Sequence, residues 1–208
     1  MIGLAGPSCS GKSTLAHHLA NLLPGPTTVL SLDAYYRDLA QLPLAQRHHF
    51  NFDHPDALDY DLLLHNLEGL ARGQTVKKPV YLFPEHVRAP QGEQIQAGAY
   101  LIIEGLFALY WEAIRSLLHT RIYSAADDSI CLQRRLQRDT RERGRTPASV
   151  LAQYEQSVRP MYQQHLGPTR EFADLVVNGE APVEQSAATI LAHIDQSRSV
   201  KKNKRTDR

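Results

Sequence analysis

Gly6-Pro-Ser-Cys-Ser-Gly11-Lys12-Ser13 is the stretch that most limits what this chain can fold into. It matches G-x-x-x-x-G-K-[ST], and its flanks are those the motif needs. The apolar run Met1–Ala5 reads as a buried strand in front of it, and Ser13–Leu23 has helical spacing behind it, up to the stop Pro24-Gly25-Pro26. Glycines at those positions let backbone N–H groups converge on phosphate oxygens, and the helix start adds positive potential. Gly6, Ser8, Cys9, Ser10, Gly11, Lys12, Ser13 and Thr14 are therefore the expected phosphate cradle. Lys12 should reach the terminal phosphates, and the Ser13 hydroxyl should meet Mg²⁺.

The rest of the chain alternates strand and helix patterns. Further strands are expected at Thr27–Leu32, Tyr100–Ile103, Arg121–Tyr123 and Leu175–Val177. Helices are expected at Asp59–Arg72, Asp127–Glu142, from Thr146-Pro147 onward, and at Val183–Ile194. Val76–Phe83 alternates weakly, as a hairpin arm would. The strands are apolar throughout rather than alternating. The expected class is α/β: a P-loop NTPase fold with a five-stranded parallel sheet, helices on both faces, a small β-hairpin arm and an Arg-rich lid. At 208 residues one domain is expected, over 1–196, with an insertion at 34–98 and the lid at 134–147.

Two acids narrow the chemistry. Asp33 closes the second expected strand and Glu104 the third, and strand C-termini in such sheets open on the ligand crevice. Phosphoryl transfer needs a held Mg²⁺ and a base at the acceptor hydroxyl, and Asp33 and Glu104 are placed for those tasks. No guanine-reading Asn-Lys-x-Asp is present; Asn203-Lys204-Arg205-Thr206 fails at its last position.

Arg134–Arg145 holds six arginines in twelve residues, although the whole chain has a formal net charge of +1. Ser197–Arg208 carries six basic residues and one acid, so the remainder is net acidic, which disfavours a general nucleic-acid binder. That terminal segment, 197–208, is expected to be a disordered basic tail. Arg134, Arg138, Arg141 and Arg145 are spaced for one helical face, with Arg135 beside it. The plain alternative is a solvated charged helix with Asp139 and Glu142 as partners. Gly144 and Pro147 break the run, however, and an arginine-rich break suits a lid closing on a phosphoryl group. Cys9 and Cys131 are too few for a disulfide framework and lack metal-ligand spacing. No apolar run reaches the length of a membrane span, and no secretion signal opens the chain, so a cytoplasmic protein is expected.

The sequence is similar to the uridine–cytidine kinases of the P-loop nucleoside kinases, within the phosphoribulokinase/uridine kinase family. The likeness covers Gly3 to about His193. Beyond the P-loop it rests on Phe50–Ala57, Pro79–Phe83, Ile103-Glu104-Gly105, Arg134–Asp139, Arg143-Gly-Arg145, Gln153-Tyr154, Pro168-Thr169 and Ala173-Asp174. The resemblance implies ATP- and Mg²⁺-dependent phosphorylation of uridine and cytidine at the 5′-hydroxyl, giving UMP and CMP in pyrimidine salvage. It implies Asp33 as catalytic base with Tyr36 close by, and Ser13, Asp33 and Glu104 at the metal. Asp53 and Arg135 would grip the ribose hydroxyls. Tyr81, Phe83 and His86 would form the base pocket, lined by Phe52. Arg145 and Gln153 would contact the nucleoside, and Arg138 and Arg143 the phosphates. It also implies a homo-oligomer, usually a tetramer. Three departures stand out: Leu82 in place of an acid, Leu32 before the catalytic Asp, and Val177-Asn178-Gly179 in place of Pro-Arg-Gly, which leaves ATP or GTP as donor open.

The residues agree without the family. A ribose diol suits one carboxylate and one guanidinium, and a flat pyrimidine suits aromatic walls. A neutral imidazole offers one donor and one acceptor to the base edge. A hairpin whose aromatics merely pack is the alternative there. His17, His18 and His65 read as surface residues. Two rival functions stay open: a sibling kinase acting on ribulose phosphate, nicotinamide riboside or pantothenate, and a non-catalytic nucleotide- or RNA-binding module.

Overall fold

The computed structural model describes residues 1–206, with side chains described through Ser197. Five apolar runs form one all-parallel sheet: β1 (Ile2–Ala5), β2 (Thr27–Ser31), β3 (Tyr100–Glu104), β4 (Thr120–Ala125) and β5 (Leu175–Asn178), in the order β2-β3-β1-β4-β5. Successive strand residues point to opposite faces, and here both faces are apolar. Leu101, Ile103 and Tyr123 enter one core; Ile2, Leu4, Ile102, Ile122 and Val177 enter the other. Helices α1 (Lys12–Leu22) and α6 (Val183–Thr206) close the second core with Leu15, Leu19, Ile190 and Ile194. Helices α2 (Tyr60–Ala71) and α3 (Glu112–Leu117) close the first with Leu63, Leu67, Leu70 and Ile114. The continuous hydrophobicity of the strands is thus the signature of a sheet covered twice.

Local signals set the boundaries. Asp59 caps α2 by accepting the Leu62 N–H at 3.2 Å, and Gly73 takes φ 75° after its end. Thr146 caps α5 (Pro147–Gln153) by accepting the Ser149 N–H at 3.2 Å, with Pro147 in the first turn. The basic helix α4 (Asp128–Glu142) ends where Gly144 takes φ 63°. From α5 the chain stays helical to Phe172, widening at Tyr154–Val158 and Tyr162–Leu166.

Several expectations need correction. β2 stops at Ser31, whose side chain accepts the Asp33 N–H at 3.4 Å; Asp33 lies in the turn Leu32–Tyr35 rather than in the strand. Val76–Phe83 is, as expected, one arm of a hairpin, its outgoing half. Val76–Lys78 pairs with Glu93–Ile95, and Tyr81–Leu82 with Val87–Arg88; the return leg is too polar to show a strand pattern. Arg145 is not on the face of α4, because the left-handed Gly144 has already turned the chain. The helix expected at Val183–Ile194 runs to Thr206 and takes in the backbone of the expected disordered tail, since no Gly or Pro interrupts it. Asp207 and Arg208 lie outside the described residues. Among those described, no helix is long and apolar enough to cross a membrane.

Candidate active site

The P-loop leaves β1 and enters α1 through three left-handed residues, Gly6 (φ 150°), Cys9 (φ 68°) and Gly11 (φ 84°). A Cβ on Gly6 would stand 2.4 Å from the Ser124 carbonyl oxygen, so only glycine fits. No side chain caps α1 at Gly11, which leaves its first N–H groups turned toward the cleft. The loop is held from behind. Buried Ser124 donates to the Ser10 carbonyl at 2.9 Å, and Arg134 donates to the carbonyls of Cys9 (3.2 Å) and Gly179 (2.9 Å). Arg134, which the sequence placed with the lid arginines, therefore braces the loop. Lys12 Nζ rests 3.3 Å from the Pro7 carbonyl.

At the next step along the cleft, Ser13 Oγ donates to Glu104 Oε2 at 3.0 Å. Parallel pairing of β3 to β1 and β2 sets Glu104 opposite Leu4 and Ser31, at the sheet's C-terminal edge. Burial, then the neighbouring Glu104 charge, raise the Asp33 pKa above its ordinary value, against the opposing pull of Lys12, Arg143 and Arg138. Hydroxyl and carboxylate oxygens are hard donors. Mg²⁺ takes one or two carboxylates and keeps waters and phosphate oxygens for the rest. Among the described residues no group of three or more His, Cys, Asp or Glu is placed to hold a metal ion.

The same cleft, about 1290 Å³, continues to an aromatic end lined by Tyr36, Phe52, Tyr81, Phe83 and His86. Phe52 stacks on His86 (centroids 4.8 Å, 22° between planes), and Tyr36 meets Phe52 at 5.1 Å and Tyr81 at 5.5 Å. Tyr81 is buried, and burial pushes its phenol up to about 12. Phe83 stands at the rim, 51% exposed. His86 sits at φ 54°, a left-handed conformation uncommon outside glycine, with its carbonyl accepting the Leu39 N–H at 3.3 Å. Burial, then the nearby His48, Arg47 and Arg143, lower the His86 pKa, so its ring is neutral at pH 7. His48 and His49 also line the cleft, and His48 meets His86 edge-on at 5.2 Å. Neither was singled out from sequence, because a polar pair after Arg47 carries no motif.

Between the two ends lie Asp53 and Arg135, both buried, with Arg135 Nη2 3.9 Å from Asp53 Oδ2. Burial raises the Asp53 carboxyl, and Arg135 opposes that shift. Gln153 Oε1 accepts from Arg135 Nη2 at 3.2 Å and from Arg145 Nη1, while Arg145 also donates to the Ser149 carbonyl at 3.2 Å. Arg138 and Arg143 also line the cleft. Arg141 is exposed and is not among the lining residues. The residue that sequence reasoning undervalued is Asp139. Weighed there as a surface partner, it is fully buried among the arginines. Its i, i+4 spacing to Arg135 and Arg143 was the readable signal.

The family model of the phosphoribulokinase / uridine kinase family matches residues 1–185. The chain belongs to this family. Among curated relatives, the uridine kinase of Vibrio cholerae is 38% identical over 199 residues, 93% of each chain. The uridine kinase of Deinococcus deserti is 41% identical over 178 residues, 85% of this chain and 86% of that one. Solved structures extend the fold of this phosphoribulokinase/uridine kinase family member to distant kinases. Rhodobacter spheroides phosphoribulokinase aligns with a TM-score of 0.62 at 17% identity, over 88% of this chain and 73% of that one. Cryptococcus neoformans D-glycerate 3-kinase aligns with a TM-score of 0.63 at 18% identity, over 87% and 86%.

Proposed function

We propose that this chain is a kinase that transfers the terminal phosphoryl group of ATP to the 5′-hydroxyl of uridine, with cytidine as a second acceptor. One observation carries the reading: a P-loop and an aromatic pocket with a neutral histidine open into the same cleft, with Asp33 and the Asp53–Arg135 pair between them. The names of the relatives in Vibrio cholerae and Deinococcus deserti support the same acceptor.

In this reading Asp33 accepts the proton of the acceptor hydroxyl. Its raised pKa makes it a stronger base than a solvated aspartate, at the cost of a smaller ionised fraction in acid. Ser13, Asp33 and Glu104 would hold Mg²⁺, which would supply charge neutralisation for the phosphates. Lys12, Arg138 and Arg143 meet the charge that spreads over the transferring group. Asp53 and Arg135 hold the ribose diol. Tyr36, Phe52, Tyr81 and Phe83 enclose the base, and His86 presents either a donor or an acceptor to the edge where uracil and cytosine differ. Arg145 and Gln153 complete the acceptor contacts. Residues 34–98 form the acceptor-binding part and 134–147 the lid of a single kinase domain. The protein works in the cytoplasm as a homo-oligomer, with the tetramer as the first state to test.

A sugar-phosphate acceptor would need a second cluster of cations at the acceptor site, whereas Phe52, Tyr81 and Phe83 there suit a flat base. An RNA-binding role for the Arg-rich helix is disfavoured because Arg135 is buried and Arg138 is held on Asp139 at 2.8 Å. The test is ADP release in a coupled assay across a panel of nucleosides, sugar phosphates and pantothenate, with ATP and GTP as donors. Uridine and cytidine should turn over within about tenfold of each other, a difference of about 1.4 kcal/mol. Thymidine should be poor for lack of one hydroxyl. Turnover of a sugar phosphate instead would overturn the reading.

A further inference from the structure

Asp139 does not take part in the chemistry described above, yet its carboxylate is the point where the two ends of the cleft meet. It is fully buried on α4. Its Oδ1 lies 2.8 Å from Arg138 Nη2 and 3.5 Å from Arg143 Nη1, and its Oδ2 lies 3.5 Å from Arg135 Nε. Its main-chain carbonyl accepts the N–H groups of Arg143 (3.3 Å) and Arg145 (3.1 Å). On the kinase reading above, Arg138 and Arg143 serve the phosphates and Arg135 the acceptor. The sequence builds this directly, because Arg135 and Arg143 stand four residues before and after Asp139.

The contacts are unequal. Arg138 holds Oδ1 with two nitrogens, Nε and Nη2, both at 2.8 Å. On the other side, buried Asp139 Oδ2 and Arg135 Nε have no hydrogen-bond partner at all, although they face each other at 3.5 Å. A buried carboxylate is costly unless its charge is met, and so is a buried guanidinium N–H. The arrangement therefore has slack on the acceptor side and full engagement on the phosphate side.

Resting on the kinase reading above, we infer that Asp139 is a positioning residue that makes nucleotide and nucleoside bind cooperatively. Phosphate oxygens compete with Asp139 for Arg138 and Arg143, through strong charge-assisted hydrogen bonds. As those two guanidiniums turn to the phosphates, the buried carboxylate is left with Arg135 as its remaining cation. The 3.5 Å gap between Oδ2 and Nε closes, and Arg135 is fixed in register with Asp53 across the diol. The link is reciprocal, so an acceptor that orders Arg135 also eases the release of Arg138 and Arg143 toward phosphate.

The test is a binding cycle with a non-hydrolysable ATP analogue and uridine, titrated singly and together, on wild type and Asp139→Asn. In wild type the analogue should tighten uridine by about tenfold, within the usual range of such coupling. In Asp139→Asn the ratio should fall to about one, and Asp139→Glu should restore part of it. A mere folding defect would weaken both single affinities and leave their ratio intact, so a preserved ratio in Asp139→Asn overturns the proposal, as does a wild-type ratio of one. Should Asp139→Asn not fold, Arg143→Ala decides, because that side chain is half-exposed. Its ratio should drop by a smaller factor, and an unchanged ratio counts against the proposal. A wild type that binds the analogue but not uridine would refute the acceptor assignment alone. The same ratio, measured with whichever acceptor the panel finds, then tests Asp139.

Discussion

The phosphate end and the acceptor end of this cleft are built from different materials. The phosphate end is backbone: one loop of six residues, Gly6–Gly11, between a strand and a helix, shaped by left-handed Gly6, Cys9 and Gly11 and braced by Ser124 and Arg134. The acceptor end is side chain: aromatics and charges drawn from the turn after β2, the loop around Phe52, a hairpin, α4 and α5. Backbone geometry can be changed only by changing the fold, whereas side chains can be exchanged singly. The family is named for two kinases, a phosphoribulokinase and a uridine kinase, and a phosphoribulokinase structure shares this fold.

Substitutions can break or sharpen that contrast. Asp33→Asn sits at the junction and should have the largest effect: turnover down by about 10²- to 10⁴-fold with both ligands still bound, read by kcat beside direct titration. Near wild-type kcat would remove Asp33 as the base. Gly6→Ala attacks the backbone end. Strain of about 1–3 kcal/mol at a left-handed residue with 2.4 Å of room should weaken nucleotide binding by roughly 5- to 150-fold, whatever the acceptor. If only one acceptor suffers, the two ends are not separate in the way proposed. His86→Phe attacks the side-chain end. Loss of a buried polar partner costs about 1–3 kcal/mol, so kcat/KM should fall by a similar factor for uridine and cytidine, while the KM for ATP holds. Unchanged kcat/KM for both would take His86 out of the pocket.

The smallest effect concerns stability. The folded-state pKa of Asp33 lies above its unfolded value of 3.8, so the folded chain binds that proton more tightly. The associated stability is full below the unfolded value and is lost as pH rises through the folded one. Asparagine never ionises. In EDTA at pH 7, Asp33→Asn should therefore melt higher than wild type, by about 2–4 °C for each kcal/mol relieved, and the gap should close in acid. A lower Tm at pH 7 would mean that Lys12, Arg138 and Arg143 outweigh the burial of that carboxylate.

The same contrast explains what could be read from sequence. The five strands and the P-loop were legible because each is a local pattern: an apolar run, a glycine spacing, a proline stop. Asp33 and Glu104 were legible as acids where strand patterns end, although Asp33 proved to lie one turn later. The aromatics and the Asp53–Arg135 pair were assembled through family likeness, since Phe52, Tyr81 and Arg135 are far apart in the chain and no local pattern joins them. Asp139 was misjudged because a charged residue among charged residues reads as solvated. Its burial depends on α5 and the Phe52 loop arriving from elsewhere. Arg134 was misjudged for a similar reason, as nothing local shows that Cys9 and Gly179 offer it their carbonyls.

The alternation along β3 acts as a proofreading device. Leu101 and Ile103 fill one core and Ile102 the other, and the next residue is Glu104, bonded to Ser13. A slip of one residue in this strand would carry Glu104 about 3.3 Å along the sheet and turn it to the opposite face. The same slip would exchange the side chains of both cores at once. A slip that moved Glu104 into the place of Ile103 would bury its charge in an apolar core, at a large cost in stability. That cost falls on folding itself, before any substrate is there to reveal the error.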